Sequence, residues 1–423
     1  MRIVRDVYER HGFEPLETPA FENIETLLGK YGEEGNRLIF KILRRGEHEG
    51  TGEADLALRY DLTVPLARVV AQYQGELPRF FKRYQIQPVW RADRPARGRF
   101  REFFQCDIDV VGSTSLVVEA DILAAITEVL TRLGFEDFTI RLNDRRVLTE
   151  LLAAFGIATA QHAETLVAID KLDKIGVDGV RRELLEREAP APAVDACIGF
   201  FRAFPRGRDD RAEAMTAIAR VIGPEAIRSV TDLVELADST TAGPRIIIDP
   251  SLARGLSYYT GAIMEIAVPD LPGSLGGGGR YDNLIGMFLG RDIPACGFSL
   301  GLERIIVVMT ERDMFPAHVS RGAVDVMVVC LADDLRGEAL GLAADLRAEQ
   351  LRVDVYPEPA KKIEKPLKYA AGRNVPVLAI VGPDERARGE VAVRDLQTRQ
   401  QQSVPRSGAA SRIAQIVRLV PAV

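Results

Sequence analysis

Phe103-Phe104-Gln105-Cys106-Asp107-Ile108-Asp109-Val110-Val111 is the stretch on which the reading of this fold turns. Phe104, Cys106, Ile108 and Val110 alternate with Gln105, Asp107 and Asp109, which is the period of a half-buried strand. Just upstream, Phe80 to Trp90 is also strand-like, rich in aromatic and β-branched positions. Arg94 to Arg101 lies between the two and contains Pro95 and Gly98, so it predicts a hairpin loop. A half-buried strand seldom carries two acids without a cationic partner. That partner is either a ligand cation or a nearby arginine in a structural ion pair.

Working outward, Ile3 to His11 has helical spacing, with Val4, Val7 and Tyr8 on one face. Gly12 ends it, and Phe13-Glu14-Pro15-Leu16 reads as extended chain. Leu58 to Tyr60 is a short strand candidate, Pro65 to Gln74 a helix, and Glu119 to Leu133 an amphipathic helix. Residues 146–240 are helix-rich and hold no cluster of chemically useful side chains. Arg245 to Asp249, Gly261 to Ala267 and Ala295 to Ser299 are strand candidates, the last running into a helix from Leu302. After a linker, Pro316 to Gly322, strands and helices alternate: Val324–Leu331, Arg336–Gln350, Arg352–Tyr356, Ile363–Gly372 and Val375–Val381. Such alternation implies a largely parallel sheet.

The chain has 423 residues, 47% hydrophobic and 27% charged, enough for two or three domains. No apolar run has the length of a membrane helix, and the first residues are too charged for a secretory signal, so a cytoplasmic location is expected. The four cysteines and four histidines are scattered, which argues against zinc sites, disulfide frameworks and hydrolase triads. The net charge is −6 but uneven. Residues 323–423 carry 15 Lys+Arg against 13 Asp+Glu, leaving 40 against 48 elsewhere. A slightly basic tail on an acidic body permits RNA binding.

Four further features can carry chemistry. Arg91, Arg94, Arg97, Arg99 and Arg101 surround the hairpin turn, and alternation places Arg97, Arg99 and Arg101 on one side, where guanidinium groups suit phosphate. Ser251 to Tyr259 holds Arg254, Tyr258 and Tyr259 between strands, as pocket-lining groups often lie. Gly276 to Gly279, before Arg280-Tyr281-Asp282, reads as a close backbone approach to a ligand or as a flexible loop; it is neither a P-loop nor a dinucleotide fingerprint. Gly297 to Arg304 joins a strand to a helix, with Arg304 in the helix's first turn, which suits phosphate.

In this order the segments resemble the signature motifs of class II aminoacyl-tRNA synthetases, and specifically the histidyl-tRNA synthetase family. Gly12–Pro19 resembles motif 1, Phe80–Gly112 motif 2 and Gly297–Arg304 motif 3. Leu252–Tyr259 and Gly277–Asp282 look like the histidine-specific pair. The resemblance covers nearly the whole chain. It implies an α/β protein in four parts. Residues 1–145 and 241–315 form an α+β catalytic domain with an antiparallel sheet, 146–240 a helical insertion, and 323–423 an α/β anticodon-binding domain.

The same resemblance implies ATP and L-histidine as substrates, Mg²⁺ bridging phosphates through ligands the sequence leaves unknown, tRNA(His) as partner and a homodimer. It assigns catalytic roles to Arg91, Arg254 and Arg304. Arg91, Arg99, Phe103 and Arg304 would bind ATP, with Phe103 stacking on adenine. Asp61, Thr63 and Gln105 would surround the α-ammonium, and Asp109 and Tyr259 the imidazole, with Tyr258 and Tyr281 beside the pocket. Arg254 would assist adenylation. Ser257 stands where the family usually has Asp, and the family's Gly-Thr-Arg-Asp stretch before motif 1 is not among these residues. The alternative is a non-catalytic relative, similar to the histidine-sensing regulatory subunit of ATP phosphoribosyltransferase. That relative usually lacks the tail and degrades the arginines, which are present here.

Overall fold

A computed structural model describes residues 1–44, 52–207, 209–253, 258–315, 323–360 and 362–419. Strands are numbered in chain order. The predicted hairpin forms as β5 (Phe81–Trp90) and β6 (Glu102–Val111), paired antiparallel from Phe81–Val111 to Trp90–Glu102. It lies inside an eight-stranded sheet. Next to β6 come β11 (Ala295–Gly301), β10 (Ser274–Arg280), β9 (Ala262–Ala267) and β7 (Thr139–Asp144), all antiparallel. Two short parallel strands close the ends, β1 (Glu14–Pro15) on β5 and β8 (Ile246–Ile248) on β7.

The register sorts side chains onto two faces, because side chains alternate along a strand. One face carries Tyr84, Ile108, Phe298, Leu300, Met264 and Leu142, and the Val117–Arg132 helix packs against it. Burying each such side chain contributes about 1.5–3 kcal/mol. The other face carries Arg83 and Gln85 from β5, Gln105, Asp107 and Asp109 from β6, Ser299 from β11, Glu265 from β9 and Arg141 from β7. β6 was expected to be half-buried. Instead every residue from Gln105 to Val111 is buried, because its polar face is covered as well as its apolar one.

A three-stranded sheet holds β2 (Phe21–Asn23), β4 (Ala54–Leu58) and β3 (Lys41–Leu43), in that order. The strand expected at Leu58–Tyr60 thus lies one turn earlier and ends at Leu58. At buried Arg59 the backbone pairs instead with the Ala20 carbonyl and the Trp90 amide, while its guanidinium donates to the carbonyls of Thr18, Pro19 and Pro88 and to Gln87. Between Arg145 and Asp238 the described residues form mainly helices, and Leu148, Leu166, Val194 and Phe201 share a core with Leu252 and Ile263. These helices belong with the large sheet in one compact unit, Met1–Arg312.

The second unit, Asp313–Val423, contains a five-stranded sheet ordered β13 (Val353–Val355), β12 (Val326–Cys330), β14 (Val377–Val381), β15 (Glu390–Asp395) and β16 (Gln401–Pro405). Only β13, β12 and β14 are parallel; β15 and β16 run antiparallel. The expected largely parallel sheet is therefore mixed. Residues 382–389 are too few for a parallel crossover, which needs roughly a dozen residues, so the chain returns antiparallel. The expected linker, Pro316 to Gly322, lies outside the described residues.

Candidate active site

The polar face of the large sheet is a charged interior surface. Arg83 is fully buried, and its Nη2 lies 2.7 Å from Asp109 Oδ2 and 4.0 Å from Asp107 Oδ2. Thus the cationic partner of the two acids on β6 is, in the protein alone, an arginine on the neighbouring strand. Tyr281 donates its hydroxyl to the other Asp109 oxygen. Burial pushes the Asp109 carboxyl up, opposed by the Arg83 guanidinium and the Tyr281 hydroxyl. The more distant Asp107 is pushed up by burial to about 7.

This predicts a stability signature. With its carboxyl raised, folded Asp107 keeps its proton between about pH 4 and 7, where the unfolded chain has lost it. The stability this contributes is therefore lost as pH rises through 7. Asp107→Asn should stabilise the protein by about 2 kcal/mol more at pH 8 than at pH 5. Urea denaturation at the two pH values reads this, and equal gains at both would contradict it.

Two glycines make room for this arrangement. Gly297 sits opposite Asp109 in the ladder, and a Cβ there would lie 1.8 Å from Asp109 Oδ1. Gly279 is next in the same row, and its Cβ would lie 2.4 Å from the Ala262 carbonyl oxygen and 3.0 Å from the Tyr259 ring. The glycine run, read from the sequence as a close backbone approach to a ligand or as a flexible loop, is an internal strand, β10. Its glycines serve close approach, of side chains at Gly279 and of the Phe298 ring at Gly278 on the opposite face. Tyr259 packs T-shaped on Tyr258, and Tyr258 in turn on Tyr281. Burial raises the Tyr259 hydroxyl well above its ordinary range, so it remains a neutral donor.

At the other end of the same surface, Asp61 is buried just before the Thr63–Tyr73 helix. It accepts from the Tyr31 hydroxyl at 2.9 Å and the Val64 amide at 3.1 Å, with the Tyr258 hydroxyl at 3.5 Å. Burial raises its carboxyl, opposed by the Val64 amide and Arg91. Thr63 bonds the Tyr258 hydroxyl. Gln105 donates to Ser299 Oγ at 2.6 Å, while its Oε1 has no hydrogen-bond partner. Tyr31, Arg83 and Ser299 were not singled out from the sequence, whereas Asp107 was, as one of the two acids of its strand. The alternation that placed Gln105, Asp107 and Asp109 together, applied to Phe81–Trp90, would have found Arg83 and Gln85.

The arginines divide. Arg91 lies over the rings of Tyr60 at 4.3 Å and Phe103 at 5.1 Å, so these two expected ATP contacts are adjacent. Arg304 donates to the carbonyls of Gly98 at 2.9 Å and Ser274 at 2.7 Å, joining the hairpin loop to β10. The expectation that Arg97, Arg99 and Arg101 share one side is not met. The chain reverses tightly between Ala96 and Arg99, sending Arg97 to Glu311 and Arg99 and Arg101 to Asp93. Arg254 and Ser257 lie outside the described residues.

An antiparallel sheet with one apolar and one polar face, a hairpin arginine stacked on an aromatic ring, and a separate mixed α/β unit make up the architecture of a class II aminoacyl-tRNA synthetase. Residues 1–305 match the family model described as histidyl-tRNA synthetase, and residues 325–416 match an anticodon-binding domain. A histidine–tRNA ligase of Porphyromonas gingivalis is 42% identical over 98% of this chain and 94% of its own length. One of Gloeobacter violaceus is 42% identical over 97% and 93%. The crystal structure of histidyl-tRNA synthetase from Nostoc superposes with a TM-score of 0.81 at 31% identity, covering 98% of this chain and 94% of that one. The chain belongs to the histidyl-tRNA synthetase family.

Proposed function

We propose that this protein ligates L-histidine to tRNA(His), using ATP to form histidyl-adenylate and releasing AMP and pyrophosphate. The observation that carries the reading is the incompleteness of the polar face. Among the described residues, the buried side-chain atoms without a hydrogen-bond partner include one acceptor on this face, Gln105 Oε1, while Asp109 Oδ2 is met by the Arg83 guanidinium. An unpartnered atom of this kind costs about 1–3 kcal/mol unless something satisfies it. Bound histidine supplies donors at both ends: its ammonium to Asp61 and Gln105 near Thr63, its ring to Asp109 and Tyr259, with Tyr258 and Tyr281 as walls.

ATP lies toward Arg91, Phe103, Arg99 and Arg304. Arg91 exchanges its ring contact for the α-phosphate, Phe103 then faces adenine, and Arg304 exchanges a backbone carbonyl for the γ-phosphate. Arg254 stabilises charge building on the α-phosphate during adenylation. Mg²⁺ accompanies ATP through its phosphates. The described residues offer no group of three or more His, Cys, Asp or Glu that could hold it.

Residues 1–145 and 241–315 carry the chemistry, 146–240 is a helical insertion, and 323–423 binds the anticodon side of the tRNA. The match of residues 325–416 to an anticodon-binding domain supports that last assignment. Motif 1, Gly12–Pro19, supports a homodimer, the commonest closed assembly, which light scattering reads directly. No described helix is long and apolar enough to cross a membrane, and a cytoplasmic location fits a tRNA substrate. The regulatory alternative is disfavoured, because full-length relatives at about two-fifths identity are named ligases. Histidine-dependent ATP–pyrophosphate exchange, followed by charging of tRNA(His), tests the reading. Histidine binding without exchange would return it to the regulatory alternative.

A further inference from the structure

We infer that Arg83 is a positioning residue for histidine, a buried strut that holds the ammonium end and the ring end of the pocket at a set separation. One nitrogen joins both ends. Arg83 Nη2 lies 2.7 Å from Asp109 Oδ2 and donates at 3.3 Å to the carbonyl of Leu62, which stands between Asp61 and Thr63. The other terminal nitrogen, Nη1, donates to Gln85 Oε1 at 3.1 Å, and Gln85 Nε2 donates to Thr18 Oγ1 at 2.9 Å. The guanidinium is thus fixed from β5, from the Asp61–Thr63 turn and from β6. A planar fork on a short, fully enclosed path has little freedom to let either end drift. Its charge also favours the ionised, accepting form of Asp109, the form that receives a ring N–H.

The inference rests on the assignment of this face to histidine. It concerns a residue that touches no substrate atom and acts through Asp109 and the Asp61–Thr63 turn. Removing such a buried, bonded charge partner weakens binding steeply, whereas a group that only supports the fold lowers every ligand's affinity together.

Calorimetric titration of the full chain with histidine and, separately, with ATP tests this in Arg83→Met and Arg83→Lys, with circular dichroism as the check on folding. Arg83→Met should weaken histidine binding about a hundredfold and leave ATP within about twofold. Exchange turnover at saturating histidine should fall by no more than about fivefold, since a strut sets binding rather than chemistry. Arg83→Lys keeps the charge without the fork and should recover about tenfold of the loss. A folded Arg83→Met protein that binds histidine within about threefold of the parent, or that loses histidine and ATP in equal measure, overturns the inference. Should Arg83→Met fail to fold, Arg83→Lys decides on the same criterion: selective weakening of histidine supports the strut, and equal or no weakening removes it. Failure of the ligase reading looks different, because the parent protein would then bind histidine yet show no exchange, and the Arg83 comparison would still be read from the titrations. A parent protein that does not bind histidine sinks both.

Discussion

Gly297→Ala is expected to reduce histidine activation by about a thousandfold while leaving most of the secondary structure intact. The added Cβ would sit 1.8 Å from Asp109 Oδ1 and 2.9 Å from the carbonyl of Ile108. The backbone of β6 cannot retreat, because Gly297 and Asp109 are paired in the ladder between β10 and β5. The Asp109 carboxylate must therefore swing away. That breaks the Tyr281 hydrogen bond and leaves the fully buried Arg83 without its nearest anion. A site built on specific hydrogen bonds loses far more when its acceptor is displaced than when an apolar contact is trimmed. Pyrophosphate exchange as a function of histidine concentration, beside a circular dichroism spectrum, measures the effect. A folded variant with exchange within tenfold of the parent would mean that Asp109 is not the acceptor this pocket relies on.

Arg254→Ala should lower the rate of adenylate formation a hundredfold or more, with histidine affinity changed little. Arg254 lies outside the described residues, so the expectation rests on the resemblance of Leu252–Tyr259 to a histidine-specific motif and on the placement of its flanks. Leu252 and Ala253 are buried in the core shared with the helical segment, and Tyr258 reaches Asp61. An arginine acting where negative charge builds contributes to the transition state more than to the ground state, so turnover falls and affinity does not. Single-turnover adenylation together with equilibrium histidine binding separates the two, and near-normal turnover would assign the role elsewhere.

Much of this protein follows from local pattern. Alternation in Phe81–Trp90 and Glu102–Val111, broken by Pro95 and Gly98, specifies a hairpin wherever it is placed, because a strand's side chains must alternate. The same holds for the Val117–Arg132 helix and for the strand–helix alternation of the tail, whose elements fall within a few residues of expectation. The order of the motifs carried the family, since order along the chain survives without coordinates.

Partnership did not follow from pattern. Asp109 and Arg83 stand 26 positions apart, and their pairing depends on the register of β5 on β6. Tyr281 reaches Asp109 across 172 positions, a distance only the closed sheet removes. The glycine run showed the same limit. Locally, four glycines are compatible with a loop or a strand, and it is antiparallel pairing with β9 on one side and β11 on the other that makes them a strand. The direction of β15 was likewise set by the length of the connection before it. The sequence alone determined most of the strands and helices, and to which family the chain is related, because propensity, period and motif order are local or sequential properties. The tertiary structure alone decided which buried charge meets which, and where a side chain has room, because those depend on register and close packing between distant segments.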